Sequence, residues 1–160
     1  MSEFQGCPGS RMMDLRHNDE AREDVTGAPV GAVASELRQW PIQLHLVSPQ
    51  APYFQGADVL LAADCTAYAV GGFHKDYLKG KSLAIACPKL DEGQDIYLEK
   101  LKTLIDEGRI NTLTVLTMQV PCCRGLVNLA TRAVSDSGRK VPLKSVVVDL
   151  QGEVLSEEWL

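Results

Sequence analysis

Three apolar runs constrain this chain more than any other feature: Asp58-Val59-Leu60-Leu61-Ala62, Ser82-Leu83-Ala84-Ile85-Ala86 and Thr112-Leu113-Thr114-Val115-Leu116-Thr117-Met118. They are continuous rather than alternating, as strands are when a parallel sheet is covered on both faces. The last is rich in β-branched residues. Between them the apolar spacing turns helical. Thr66 to Lys79 reads as helical turns ended by Gly80. From about Asp95 to Glu107, Tyr97, Leu101, Leu104 and Ile105 share a face, Lys100 and Lys102 lie outside it, and Gly108 supplies the stop. A further helix starts near Cys122, buries Leu126, Val127, Ala130, Ala133 and Val134, and stops near Gly138 before a last strand at Ser145–Asp149.

Alternating strands and helices favour right-handed crossovers and a parallel sheet with helices on both faces. The expected fold class is therefore α/β, a three-layer sandwich around a mostly parallel sheet of about five strands, Rossmann-like or flavodoxin-like. Upstream, Val30, Val33, Ala34 and Leu37 suggest a short helix opened by Ala28-Pro29 and stopped at Trp40-Pro41. Ile42–Val47 alternates as a first strand would, and a proline-rich connector, Ser48–Phe54, follows it. Residues 1–29 are polar and irregular. The 160 residues suit one domain, 1–160, able to bury a core without metal or disulfide staples, so any metal it holds serves function.

The formal charge of −5, with no lysine- or arginine-rich block, lacks the basic footprint of a nucleic-acid binder. No apolar run approaches the ~20 residues of a membrane span, and the start, Met1-Ser2-Glu3-Phe4-Gln5, has neither the basic nor the apolar part of a signal peptide. A cytoplasmic location is expected. Cysteines there are kept reduced and serve more often as metal ligands or catalysts than as disulfides. The cysteine count of five is odd, which also argues against a disulfide framework.

Each of the three apolar runs leads into cysteine: Cys65 after the first, Cys87 after the second, Cys122 and Cys123 after the third. Loops leaving the carboxyl ends of parallel strands share one edge, where such folds place ligands. The thiols should therefore converge there. Cys7, in the compact turn Cys7-Pro8-Gly9-Ser10, could join them if residues 1–29 cross the site as a strap. Converging thiolates suit an iron–sulfur cluster, with zinc as the main rival. The candidate ligands are Cys7, Cys65, Cys87 and Cys122, with Cys123 as alternate or additional ligand. Cys122 and Cys123 stand at a helix start, where free N–H groups favour thiolate, and Cys65 has a similar setting. Arg11, Lys89 and Arg124 are either ordinary surface charges or nearby cations that raise a cluster's potential. His74 is either a surface residue or a proton donor beside the site, and His45 falls on the polar phase of its strand.

Rival chemistries fit the spacing less well. A four-cysteine zinc site usually draws on close pairs forming knuckles. A thiol–disulfide oxidoreductase would carry Cys-x-x-Cys. Gly71-Gly72 does not make a dinucleotide-binding fingerprint.

Cys7-Pro8-Gly9-Ser10, Ala62-Ala63-Asp64-Cys65, Phe73-His74, Cys87-Pro88-Lys89-Leu90-Asp91 and the run from Met118 through Pro121-Cys122-Cys123-Arg124-Gly125 to Leu126 together resemble a family of ferredoxin-like iron–sulfur cluster-binding proteins of anaerobic microbes. The likeness spans nearly the whole chain. In many members a ferredoxin domain with two cysteine-rich motifs precedes the matching part, and this sequence shows no such motifs. The resemblance implies one bound cluster, 4Fe-4S above all, and one-electron transfer with a separate redox partner, a ferredoxin or oxidoreductase. Two other functions stay open: an enzyme whose cluster has an open iron for a small molecule, and a zinc-binding structural or regulatory module.

Overall fold

A computed structural model describes residues 7–16 and 31–160. The rest of the expected strap, including most of its charged run, lies outside the described residues. Two short strands, β1 (Met13–Asp14) and β2 (Gln39–Trp40), pair antiparallel. The main sheet comprises β3 (Asp58–Ala63), β4 (Ser82–Ala86), β5 (Thr112–Met118), β6 (Leu143–Val148) and β7 (Val154–Trp159). Its order is β4-β3-β5-β6-β7, parallel throughout except for β7, which runs antiparallel to β6. This is a mostly parallel, five-stranded α/β sheet, as the apolar runs predict.

Helices α1 (Thr66–Ala69), α2 (Gln94–Asp106) and α3 (Arg124–Asp136) make the crossovers. After β3 the chain steps to β4 on one side, then returns over β3 to β5 on the other. Direction reverses there, so the crevice between β3 and β5 is the topological switch point of the sheet. α2 and α3 pack side by side. Thr117 and Ser145 turn to the face beneath α3, whereas Thr114 and Lys144 turn to the opposite face beside Asp76 and Tyr77 of the His74–Leu78 turn. Helical segments thus cover both faces. The core between them includes fully buried Leu60, Leu61, Leu113, Leu101, Leu104 and Leu126.

Three expectations fail, each for a physical reason. Residues 32–38 form no helix; they run into β2, and Val33 is 84% exposed, so the apolar spacing there has nothing to pack on. The expected strand at Ile42–Val47 shrinks to one parallel bridge, Gln43 with Ile85. Its buried residues are Leu44 and Val47, the spacing of a turn, while Leu46 points out. Lys100 closes that turn by donating to the carbonyls of Leu44, His45 and Val47 at 2.8–3.0 Å. Finally, β7 goes unforeseen beyond the expected last strand, because every residue in it is exposed and no burial pattern marks it.

Candidate functional site at the carboxyl edge of the sheet

β3, β4 and β5 end side by side, and the backbone N–H of Asp64 donates to the Ala86 carbonyl at 3.1 Å, joining the loops that carry Cys65 and Cys87. Cys65 is the N-terminal neighbour of α1 and its thiol side is exposed. Thr66, fully buried, donates its hydroxyl to the Ala63 carbonyl at 2.8 Å and so fixes the turn that presents Cys65.

The loop after β4 is closed on itself. Asp91 accepts the Cys87 N–H on Oδ2 at 3.0 Å, and its own N–H donates to the Cys87 carbonyl at 2.9 Å. Tyr97, buried on α2, donates its hydroxyl to the same Oδ2 at 2.8 Å. Burial first, then this bond to Asp91, raises the tyrosine pKa, and the Cys87 thiol lies close enough to add to the rise. The loop is also pressed against α3: a Cβ on Gly125 would stand 3.0 Å from Pro88 Cβ, so a residue without a side chain lets the Cys87 loop and the Cys122 loop meet.

After β5, Pro121–Cys123 makes a single 3-10 turn before α3. The vicinal pair divides: Cys122 is exposed, and Cys123 is 7% exposed. Burial pushes the Cys123 thiol up against a hydrogen bond with the Met118 backbone, and Cys122 and Cys65 raise it further. For Cys123 the helix start does not favour thiolate, because desolvation outweighs it. That mutual influence brings the Cys65 thiol from β3 close to the pair from β5, across the switch point. All five cysteines are free.

Cys7 reaches the body differently. Ser10 caps its carbonyl through Oγ at 2.8 Å, and Trp40 Nε1 donates to the Gly9 carbonyl at 2.6 Å. Next to Trp40, buried Gln39 exchanges hydrogen bonds with the Leu83 backbone, at 2.9 Å to its N–H and 2.8 Å to its carbonyl, so the strap hangs from the outer edge of β4. Those ties hold the turn, not the sulfur of Cys7. Among the described residues, no three His, Cys, Asp or Glu side chains form a group able to hold a metal ion as they stand. The loops bearing Cys65, Cys87, Cys122 and Cys123 leave neighbouring strands at one edge, without their thiols being assembled into a ligand shell.

Sequence reasoning treated two carboxylates here only as parts of longer stretches. Asp64 has a buried Oδ1 with no partner among the described residues, and burial, then repulsion from Asp91, raises its pKa. Asp91 stands four residues after Cys87, a spacing that suits a loop closed by its own carboxylate. Tyr97 read simply as a core residue of α2. His74 is not free for the site on one side: its Nδ1 accepts the Glu36 N–H at 3.0 Å. His45 is exposed and meets Tyr97 edge-on at 6.2 Å. Arg11, Lys89 and Arg124 are all exposed.

Sheet order, reversal at β3 and β5, and ligand-capable side chains at the carboxyl edge define a Rossmann-like α/β protein. The chain belongs to the Rossmann-like domain family, whose model matches residues 51–160. It is similar to an uncharacterized protein of Archaeoglobus fulgidus, 32% identical over 119 residues, covering 74% of this chain and 83% of that one. No solved structure matches it.

Proposed function

We propose that this protein binds one iron–sulfur cluster, 4Fe-4S, at the carboxyl edge of its sheet and serves one-electron transfer in the cytoplasm with a separate redox partner protein. The observation that carries the reading is the gathering of four free thiols, Cys65, Cys87, Cys122 and Cys123, by three adjacent strands flanking the switch point. The resemblance to ferredoxin-like iron–sulfur proteins points the same way. Cys65, Cys87 and Cys122 would hold the cluster, with Cys7 delivered by its turn. Exposed Cys122 suits a ligand better than its neighbour, and Cys123 packs behind it. When bound, the cluster would supply a reversible one-electron couple. Around it, Asp91 and Tyr97 hold the Cys87 loop, and Gly125 lets that loop lie against α3.

One observation favours the second reading, an enzyme with an open iron. Asp64, the residue before Cys65, keeps a buried Oδ1 without a partner among the described residues, a polar atom at this edge with bonding capacity left for a small molecule.

The test is anaerobic reconstitution with iron and sulfide beside a parallel loading with zinc, followed by metal analysis. Uptake of about four irons and four sulfides per chain, the content of one 4Fe-4S cluster, with reversible bleaching on one-electron reduction, is the expected result. Cys65→Ala, Cys87→Ala and Cys122→Ala should each cut that uptake, and Cys123→Ala should leave most of it. A chain that takes zinc tightly and no iron would replace this reading with the zinc module.

A further inference from the structure

A cavity lies next to the thiol edge, between α3 and strands β5, β6 and β7. It measures about 710 Å³, inside the roughly 300–1,000 Å³ of small-molecule sites. Its floor holds Thr117 and Ser145, 2% and 4% exposed, on adjacent strands β5 and β6. Neither hydroxyl has a hydrogen-bond partner among the described residues, although both line the cavity. Each hydroxyl can both donate and accept, so two that open onto one hollow offer an occupant hydrogen bonds.

The remaining polar lining states the chemistry. Arg124, exposed, belongs to the lining, Gln119 and Asn128 add amides, and no lining residue is acidic. Arg124 has no ion pair among the described residues. A guanidinium with hydroxyl and amide donors and no competing carboxylate recognises an oxyanion. Val127, Val147 and Leu155 give the walls an apolar side, which suits an organic body attached to that oxyanion.

We propose that this cavity binds a small organic anion, its carboxylate or phosphate on Arg124 and its polar body on Thr117 and Ser145. No cysteine lines the cavity, so its test uses the chain without iron. Its rim includes Val120 and Pro121, which immediately precede Cys122, so an occupant would sit beside the thiol edge.

Calorimetric titration with inorganic phosphate and with succinate, beside glycerol as neutral control, tests the site and separates the two sources of oxyanion. Saturable binding of at least one anion and none of glycerol is expected. Arg124→Gln should weaken it by about 10-fold or more, and Thr117→Val or Ser145→Ala by about 3-fold or more, as loss of a charged or neutral hydrogen bond entails. Lys79→Gln, exposed and outside the cavity, should leave affinity unchanged. Amide NMR shifts on titration should centre on Thr117, Ser145 and Asn128, a readout that needs no variant to fold. No saturation by either anion up to about 10 mM, equal weakening by Lys79→Gln, or shifts centred elsewhere would overturn the proposal.

Discussion

Asp64 carries the least satisfied polar atom at the sheet's carboxyl edge, and its cost depends on pH. Its folded-state pKa is raised, by burial first, so the folded chain holds its proton more tightly than the unfolded chain. Stability from this group is therefore present at acid pH and is lost as pH rises through the raised pKa. Asp64→Asn removes the loss: in urea unfolding it should match the parent at acid pH and exceed it at neutral pH, and a gap unchanged with pH would contradict this assignment. Tyr97→Phe should cost about 1 kcal/mol, the usual value of one hydrogen bond, and speed alkylation of Cys87 by loosening its loop. Unaltered Cys87 reactivity would show that Asp91 holds the loop without Tyr97. Cys65, Cys87, Cys122 and Cys123 were legible at this scale because they follow apolar runs, whereas Cys7 stands in a polar, irregular segment. Thr117 and Ser145 were not, since a β-branched or small polar residue fits a buried strand without announcing whether its hydroxyl is paired.

Elements repeat the lesson at larger size. β3, β4, β5, α2 and α3 fall within a residue or two of where apolar spacing puts them, because each buries a full face. Elements held by a few polar bonds escape that signal. β2 hangs from β4 through Gln39, so Gln39→Ala should cost about 2–3 kcal/mol by orphaning the Leu83 N–H and carbonyl, and should free the Cys7 turn to proteolysis. β7 is reached through a hairpin in which Asp149 Oδ1 accepts the N–H groups of Gln151 and Glu153, and Gly152 takes φ +85°. A Cβ on Gly152 would lie 3.0 Å from Val70 Cα and closer still to the Ala69 carbonyl. Gly152→Ala combines a left-handed backbone with a clash, and a loss of about 2 kcal/mol or more in chemical denaturation is expected. A loss below about 0.5 kcal/mol, the range of an ordinary surface change, would mean the hairpin moves away freely.

At the scale of the whole molecule, the sheet order matters more than any single loop. Because direction reverses between β3 and β5, the loops bearing Cys65 and Cys122 leave the two strands that bound the crevice, and the Cys87 loop leaves the neighbouring strand β4. No helix among the described residues is long and apolar enough to cross a membrane. A cluster held by thiols from three strands would cross-link the sheet's edge and stabilise the folded chain by linkage, raising its melting temperature. The most direct measurement is thiol alkylation mapped by mass spectrometry on the chain before and after anaerobic loading with iron and sulfide. Before loading, exposed Cys7, Cys65 and Cys122 should react fast and buried Cys123 slowly. After loading, Cys65, Cys87 and Cys122 should be protected together, with Cys7 joining them if its turn closes over the site. Reactivity unchanged at all five, or protection of Cys7 alone, would contradict a cluster at the carboxyl edge.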